Sequence, residues 1–153
     1  MKKINYKEGD IFTLPLRNGG FGVGLIARTS PHNNGVLLGY FSDKKFENKP
    51  TIEEANSLAI FPYIWRFGDL SLIDNTWINL GSYKHFENNK FTPPLFIRRD
   101  PLSKKAWEVR YSNQDITKIE SEIPTDFNRH DLETDGLSGS GAVEIMLGKL
   151  LNL

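Results

Sequence analysis

Two apolar runs, residues 11–16 and 21–28, are separated by only Arg17-Asn18-Gly19-Gly20, and that spacing constrains the fold more than any other feature of the chain. Asn-Gly and Gly-Gly steps tolerate the positive φ of tight hairpins, so the runs are expected as antiparallel neighbours. The first run is rich in β-branched and large apolar residues, and Pro15 suits an edge or the last pairing position. In the second run Phe21, Val23, Leu25 and Ala27 share one face, with Gly22 and Gly24 on the other. Glycines at a spacing of two predict a strand that bends sharply or packs closely against another backbone, as in a small coiled barrel. Ser30-Pro31-His32-Asn33-Asn34-Gly35 reads as a second turn and residues 36–42 as a third strand, completing a three-stranded meander.

Beyond residue 43 the signals alternate between loop and strand. Residues 44–49 are polar and read as a surface loop, and Thr51-Ile52-Glu53-Glu54 matches a capping box for a short helix ending near Ser57. The aromatic run 58–67 suits a strand buried on both faces, with a break or bulge at Pro62. Gly68-Asp69 turns the chain, and a short strand is expected over 76–80, centred on Trp77. Pro93-Pro94 precedes the apolar Leu95-Phe96-Ile97, and 106–111 alternates Trp107, Val109 and Tyr111 with Glu108 and Arg110, a half-buried strand. Leu137-Ser138-Gly139-Ser140-Gly141 reads as a flexible lead-in, with Ser138 or Ser140 as N-cap. Val143, Met146, Leu147, Leu150 and Leu151 then fall at i, i+3, i+4, i+7 and i+8, the stripe of an amphipathic helix. The expected fold is mainly β (α+β): an N-terminal β-meander in a strongly bent sheet or partly open barrel, with a C-terminal helix packed on it.

Length and composition bound the rest. At 153 residues the chain is expected to form a single domain over 1–153, large enough to need no metal or disulfide. There is no cysteine, which removes thiolate chemistry and fits a reducing compartment. Met1-Lys2-Lys3 begins like a signal peptide but no apolar segment follows, and no stretch approaches a membrane span, so the expected location is the cytoplasm. The formal net charge is +0, which gives no global field to recruit nucleic acid. Charge is nonetheless segregated. Arg98, Arg99, Lys104, Lys105 and Arg110 crowd one segment, and Asp115, Glu120, Glu122, Asp126, Asp131, Glu133 and Asp135 dominate the next, against Lys118 and Arg129. Such a stretch reads as a solvated loop face, or as the face shown to a basic partner.

No catalytic constellation assembles. Gly22-Val23-Gly24-Leu25-Ile26-Ala27 formally fits a dinucleotide fingerprint, but it falls inside a strand with no βαβ unit behind it. The kinase glycine-rich loop fails for want of its lysine and metal-binding partners, and residues 136–141 do not form a nucleophile elbow. His32, His85 and His130 are far apart and lack the spacing of metal ligands, so neither metal nor cofactor is expected. His130-Asp131 is the one base-and-orienter pair available to an enzyme reading. Trp65-Arg66-Phe67, Phe96-Ile97-Arg98-Arg99, Trp107 and Arg110 interleave aromatic and basic residues, the composition of a stacking platform for single-stranded nucleic acid on a small barrel. That is the alternative to a protein-binding function.

The segment Lys7-Glu8-Gly9-Asp10-Ile11-Phe12-Thr13-Leu14-Pro15-Leu16, then a glycine-containing turn and Phe21-Gly22-Val23-Gly24, resembles the start of the Immunity protein 26 family. The likeness is clearest over 7–42 and continues through Phe67-Gly68-Asp69 and Trp77. It implies a protein that binds and neutralises a toxin of a bacterial polymorphic or contact-dependent system, without turnover. Toxins of such systems are often nucleases with basic clefts. On that reading Asp115, Glu120, Glu122, Asp126, Asp131, Glu133 and Asp135 are the candidate toxin-facing residues. Gly9, Asp10, Phe12, Pro15, Leu16, Gly22, Gly24 and Trp77 are structural. The oligomeric state is not legible.

Overall fold

A computed structural model describes residues 4–31 and 34–152; the expectations placed on Met1-Lys2-Lys3 and His32 lie outside these residues. The hairpin forms as its glycines require. Strand β1 (Asp10–Pro15) pairs antiparallel with β2 (Phe21–Thr29), from Ile11 opposite Leu25 to Pro15 opposite Phe21. Gly19 and Gly20 take φ of 102° and 79° in the turn, a region that costs a residue with a Cβ dearly. Strand β3 (Val36–Phe41) follows, then β4 (Tyr63–Gly68) and β5 (Ile78–Ser82), in the order β4-β3-β2-β1-β5. Strand β1 is therefore paired on both sides, by β2 and β5, and Ile11, Phe12, Thr13 and Leu14 are all buried.

Alternation gives this sheet two apolar faces. One carries Phe12, Leu14, Ile26, Leu37, Phe41, Trp65 and Phe67, with Trp77 laid over them. Phe12 and Trp77 stack at 5.5 Å and 6°, and Phe12 meets Phe41 edge-on at 5.8 Å. Gly22, Gly24 and Gly39 open the sheet beneath these groups. A Cβ on Gly24 would lie 2.4 Å from Phe12 Cζ and 2.8 Å from Phe41, one on Gly39 2.6 Å from Phe67, and one on Gly22 2.6 Å from Leu147. The close approach is by side chains, aromatic rings above all, rather than by another backbone.

The opposite face divides. Its first half, with Ile11, Val23 and Leu25, is covered by the segment carrying helix α1 (Ile52–Asn56) and by Phe61 and Tyr83. The capping box over α1 is complete: Glu54 N–H donates to Thr51 Oγ1 at 3.1 Å, and Thr51 N–H to Glu54 Oε1 at 3.0 Å. Its second half, with Ala27 and Leu38, packs on a second sheet through Phe96, Val109 and Tyr111. That sheet runs through β6 (Leu95–Asp100), β7 (Lys105–Tyr111) and β8 (Ile119–Thr125), antiparallel neighbours. Arg28, beside a bulge in β2, is buried where the sheets meet. Its guanidinium donates to the carbonyls of Ala27 (2.6 Å), Asn88 (3.0 Å) and Phe91 (3.1 Å), and to Asn113 Oδ1 (2.7 Å).

The structure is mainly β with a C-terminal helix, and its strands divide between two sheets without a closed barrel. Several local expectations shift. Residues 58–62 are not strand: β4 begins after Pro62, which has no N–H for a ladder, and Ile60 is 63% exposed. Nor is β4 buried on both faces, since only Trp65 and Phe67 are buried along it. Gly68-Asp69 leads into an unforeseen helix, α2 (Leu70–Ile73), and the strand expected at 76–80 starts at Ile78, with Trp77 fully buried just before it. The acidic stretch is not all loop, because β8 lies inside it. Beyond β8, β9 (Glu133–Thr134) joins the second sheet parallel to β6, and β10 (Leu137–Ser138) joins the first parallel to β4. The supposed flexible lead-in is thus strand at Leu137–Ser138 and already helix at Ser140-Gly141.

Helix α3 (Ser140–Leu151) closes the aromatic face with Val143 and Leu147, both fully buried, a gain of roughly 1.5–3 kcal/mol per side chain. Its N-cap is Gly139, with no side-chain cap, because Ser138 is committed to pairing with Phe67 and Ser140 is already helical. Glu144 is buried: Oε2 accepts from Trp77 Nε1 at 2.8 Å and Oε1 from Arg17 Nε at 2.7 Å. Replacing Gly24 with Ala is expected to lower the unfolding free energy in urea by about 1–3 kcal/mol, the cost of overpacking. Gly136→Ala, at an exposed loop position where a Cβ meets nothing within 4 Å, serves as the neutral control.

Candidate binding surface

The segment 115–135 starts beside the core and travels around the second sheet. Asp115 sits half-buried in the turn before β8, accepting from Thr117 N–H at 3.0 Å. Glu120 and Glu122 are exposed on β8, which forms one edge of its sheet, and Asp126 is exposed just after it, accepting from Asn128 N–H at 3.0 Å. The chain then crosses the face of β6 and β7, fastened by Arg99 donating to the carbonyls of Phe127 and Arg129. It returns as β9 and β10 on the far side.

The basic segment neutralises much of this acid. Arg98 donates to both carboxylate oxygens of Glu122 at 3.0 Å while lying 5.2 Å from the Trp107 ring centroid. These bonds hold the Glu122 carboxyl below its ordinary range. Arg129 grips Asp131 through Nε (2.6 Å) and Nη2 (3.0 Å), lowering that carboxyl likewise, and pairs with Glu108. Asp135 is drawn inward, accepting from Tyr111 Oη at 2.7 Å and from Arg66 Nη2 at 3.4 Å, with the Arg66 guanidinium 4.0 Å from the Tyr111 ring centroid. Glu133 is half-buried and accepts from Trp65 Nε1 at 3.2 Å. Glu120, Asp126 and Glu133 make no ion pair among the described residues. The seven acidic residues therefore do not form one field: Glu120, Glu122, Asp126 and Asp131 face solvent, Asp115 is half-buried in the turn before β8, and Glu133 and Asp135 lie at the seam between the sheets.

The alternative constellations come apart in three dimensions. Phe67 and Phe96 are within the core and Trp65 is 7% exposed, while Arg66 covers Tyr111; of the four aromatic residues in that pattern only Trp107 is half-exposed, beside Arg98, so they do not form one platform. His130 is exposed, and its sequence neighbour Asp131 is engaged by Arg129. No cluster of three metal-ligating side chains occurs among the described residues, and no helix there is long and apolar enough to cross a membrane. The motif residues lie inside. Gly9, at φ 91°, receives Tyr83 N–H on its carbonyl at 2.9 Å, and buried Asp10 accepts from Lys7 N–H (3.0 Å) and Asn79 Nδ2 (2.8 Å). Leu16 is buried and Pro15 half-buried at the end of β1. Sequence reasoning missed Glu133 as the partner of Trp65 and Asp135 as the partner of Tyr111. The period-two alternation of Ile119, Ser121 and Ile123 with Glu120 and Glu122 was a readable signal for β8.

Compared with known proteins, residues 7–108 match the family model described as Immunity protein 26. No curated protein and no solved structure matches. The matched segment holds the first sheet, except β10, and ends within β7. All seven candidate acidic residues and α3 lie beyond it.

Burial, and then the bond to Asp135, push the Tyr111 hydroxyl up to about 12. A raised folded value means that the stabilisation is complete below the unfolded value near 10 and is lost as pH rises through about 12. Titrating absorbance at 295 nm should show a step from Tyr111 near pH 12, among tyrosines that burial also delays, Tyr6, Tyr40 and Tyr83. In Tyr111→Phe the late absorbance should fall by one tyrosine's worth, the remainder belonging to Tyr6, Tyr40 and Tyr83, and the fall in stability between about pH 10 and 12 should be shallower.

Proposed function

The chain belongs to the Immunity protein 26 family, which implies a part in toxin neutralisation, and from that premise we propose that it acts by binding alone. On this reading it forms a one-to-one complex with a cognate toxin domain in the bacterial cytoplasm, as a single domain with no turnover of its own. The toxin is of nuclease type, with a basic cleft that accepts an acidic surface. The observation that carries the reading is the exposed acid on and after β8: Glu120 and Asp126 have no intramolecular cation among the described residues. Charges in this position accelerate encounter and favour one register, and contribute less to the lifetime of the complex.

Co-expression with the product of a neighbouring toxin-like gene should rescue growth, and light scattering should give one protomer of each in the complex. The double variant Glu120→Lys, Asp126→Lys should slow association by roughly tenfold at low salt, with the difference shrinking as salt rises. Absence of both rescue and complex would remove the reading. Salt-independent association, unchanged in the double variant, would remove the acidic surface from it.

A further inference from the structure

Two concavities flank β4 and share one residue, Glu133. On the α3 side a groove of about 360 Å3 is walled by Tyr63, Trp65, Met146 and Leu150, with Lys149 at its rim. On the side of the second sheet a groove of about 510 Å3 is walled by Pro62, Ile64, Leu95 and Leu132. Alternation along β4 explains the arrangement, since Tyr63 and Trp65 point to one side and Ile64 to the other. Strand β10 pairs only with Arg66 and Phe67, so Tyr63–Trp65 has no strand along that edge. Just upstream, Ile60 is 63% exposed.

The chemistry of the shared residue is specific. Glu133 is half-buried, and Oε2 accepts from Trp65 Nε1 at 3.2 Å. Oε1 has no hydrogen-bond partner and the carboxylate no ion pair among the described residues, Lys149 included. Nearby Asp131 is already held by Arg129. Beside Glu133 the Tyr63 and Trp65 rings stack at 6.1 Å and 8°. A half-buried carboxylate lacking a counter-charge, set among aromatic faces and aliphatic walls, matches a cation carried on an aliphatic stem. A concave apolar patch with a few polar groups is also the anatomy of an interface hot spot.

We infer that the toxin docks across this open edge of β4 and inserts an arginine or lysine side chain, its stem against Tyr63, Met146 and Leu150 and its charge on Glu133. The inference rests on the neutralisation reading above and deepens it: the exposed acid of β8 governs encounter, and Glu133 governs the lifetime of the complex. Lys149 stands at the rim as a like charge and weakens the same contact.

The test measures dissociation of the purified product of the neighbouring toxin-like gene by biolayer interferometry. Glu133→Gln keeps an acceptor for Trp65 and removes the charge, and should raise the dissociation rate roughly thirtyfold or more. Lys149→Glu, at an exposed position on α3, should lower it. These opposite signs are not produced by a loss of folding, and Lys149→Glu stands as the test if Glu133→Gln fails to fold. A complex whose dissociation changes less than about twofold in the variants would overturn the docking site while leaving neutralisation intact. Failure of the unaltered protein to bind would overturn both.

Discussion

Everything in this protein is arranged around the packing of aromatic rings over a sheet with its side chains locally removed. Phe12, Phe41, Phe67 and Trp77 occupy one face at centroid separations of 5.5–5.9 Å. They fit because Gly24 and Gly39 leave space where a Cβ would approach a ring to within 2.4–2.8 Å. Aromatic pairs add to the burial of their large surfaces. The cluster also sets what lies above it. Trp77 needs an acceptor for its buried N–H, Glu144 supplies it, and α3 is thereby oriented on the sheet, with Arg17 from the first hairpin answering the remaining carboxylate oxygen. A buried carboxylate is tolerable only when satisfied in this way. The hairpin and the last helix, more than a hundred residues apart, are bound through one side chain.

The second sheet is held by different physics. Its charged strands carry their counter-charges with them: Arg98 on β6 meets Glu122 on β8, and Arg129 meets Glu108 and Asp131. Segregation of basic and acidic residues along the sequence becomes pairing across strands. Exposed pairs of this kind add little stability, but they leave the outward charge smaller and more local than composition suggests. The residual acid separates into two zones, one solvent-facing at β8 and one at the seam by Glu133.

The hairpin, the capping box at Thr51 and the stripe of α3 were legible because each is encoded by neighbours within a few residues. The division into two sheets was not, since it depends on which face of β2 and β3 meets Phe96 and Val109. The short strands β9 and β10 were invisible for a related reason. Two residues carry no period, and these become strands only because β6 and β4 offer edges to them. Arg28 read as the polar end of a strand, whereas its buried guanidinium binds carbonyls from loops some 60 residues and more away.

By itself, then, the sequence determined the class of fold, the first hairpin, the family resemblance and the identity of the acidic residues. All of these reside in local spacing and residue type. Tertiary structure alone decided which acidic residues are spent internally and which are left without a counter-charge. Asp135 is taken by Tyr111 and Arg66, Glu122 by Arg98, and Asp131 by Arg129, while Glu120 and Asp126 face water and Glu133 is left half-buried with one oxygen unpartnered. The physical reason is that a charge acts through its distance to other charges and to solvent, and those distances exist only once the two sheets have met.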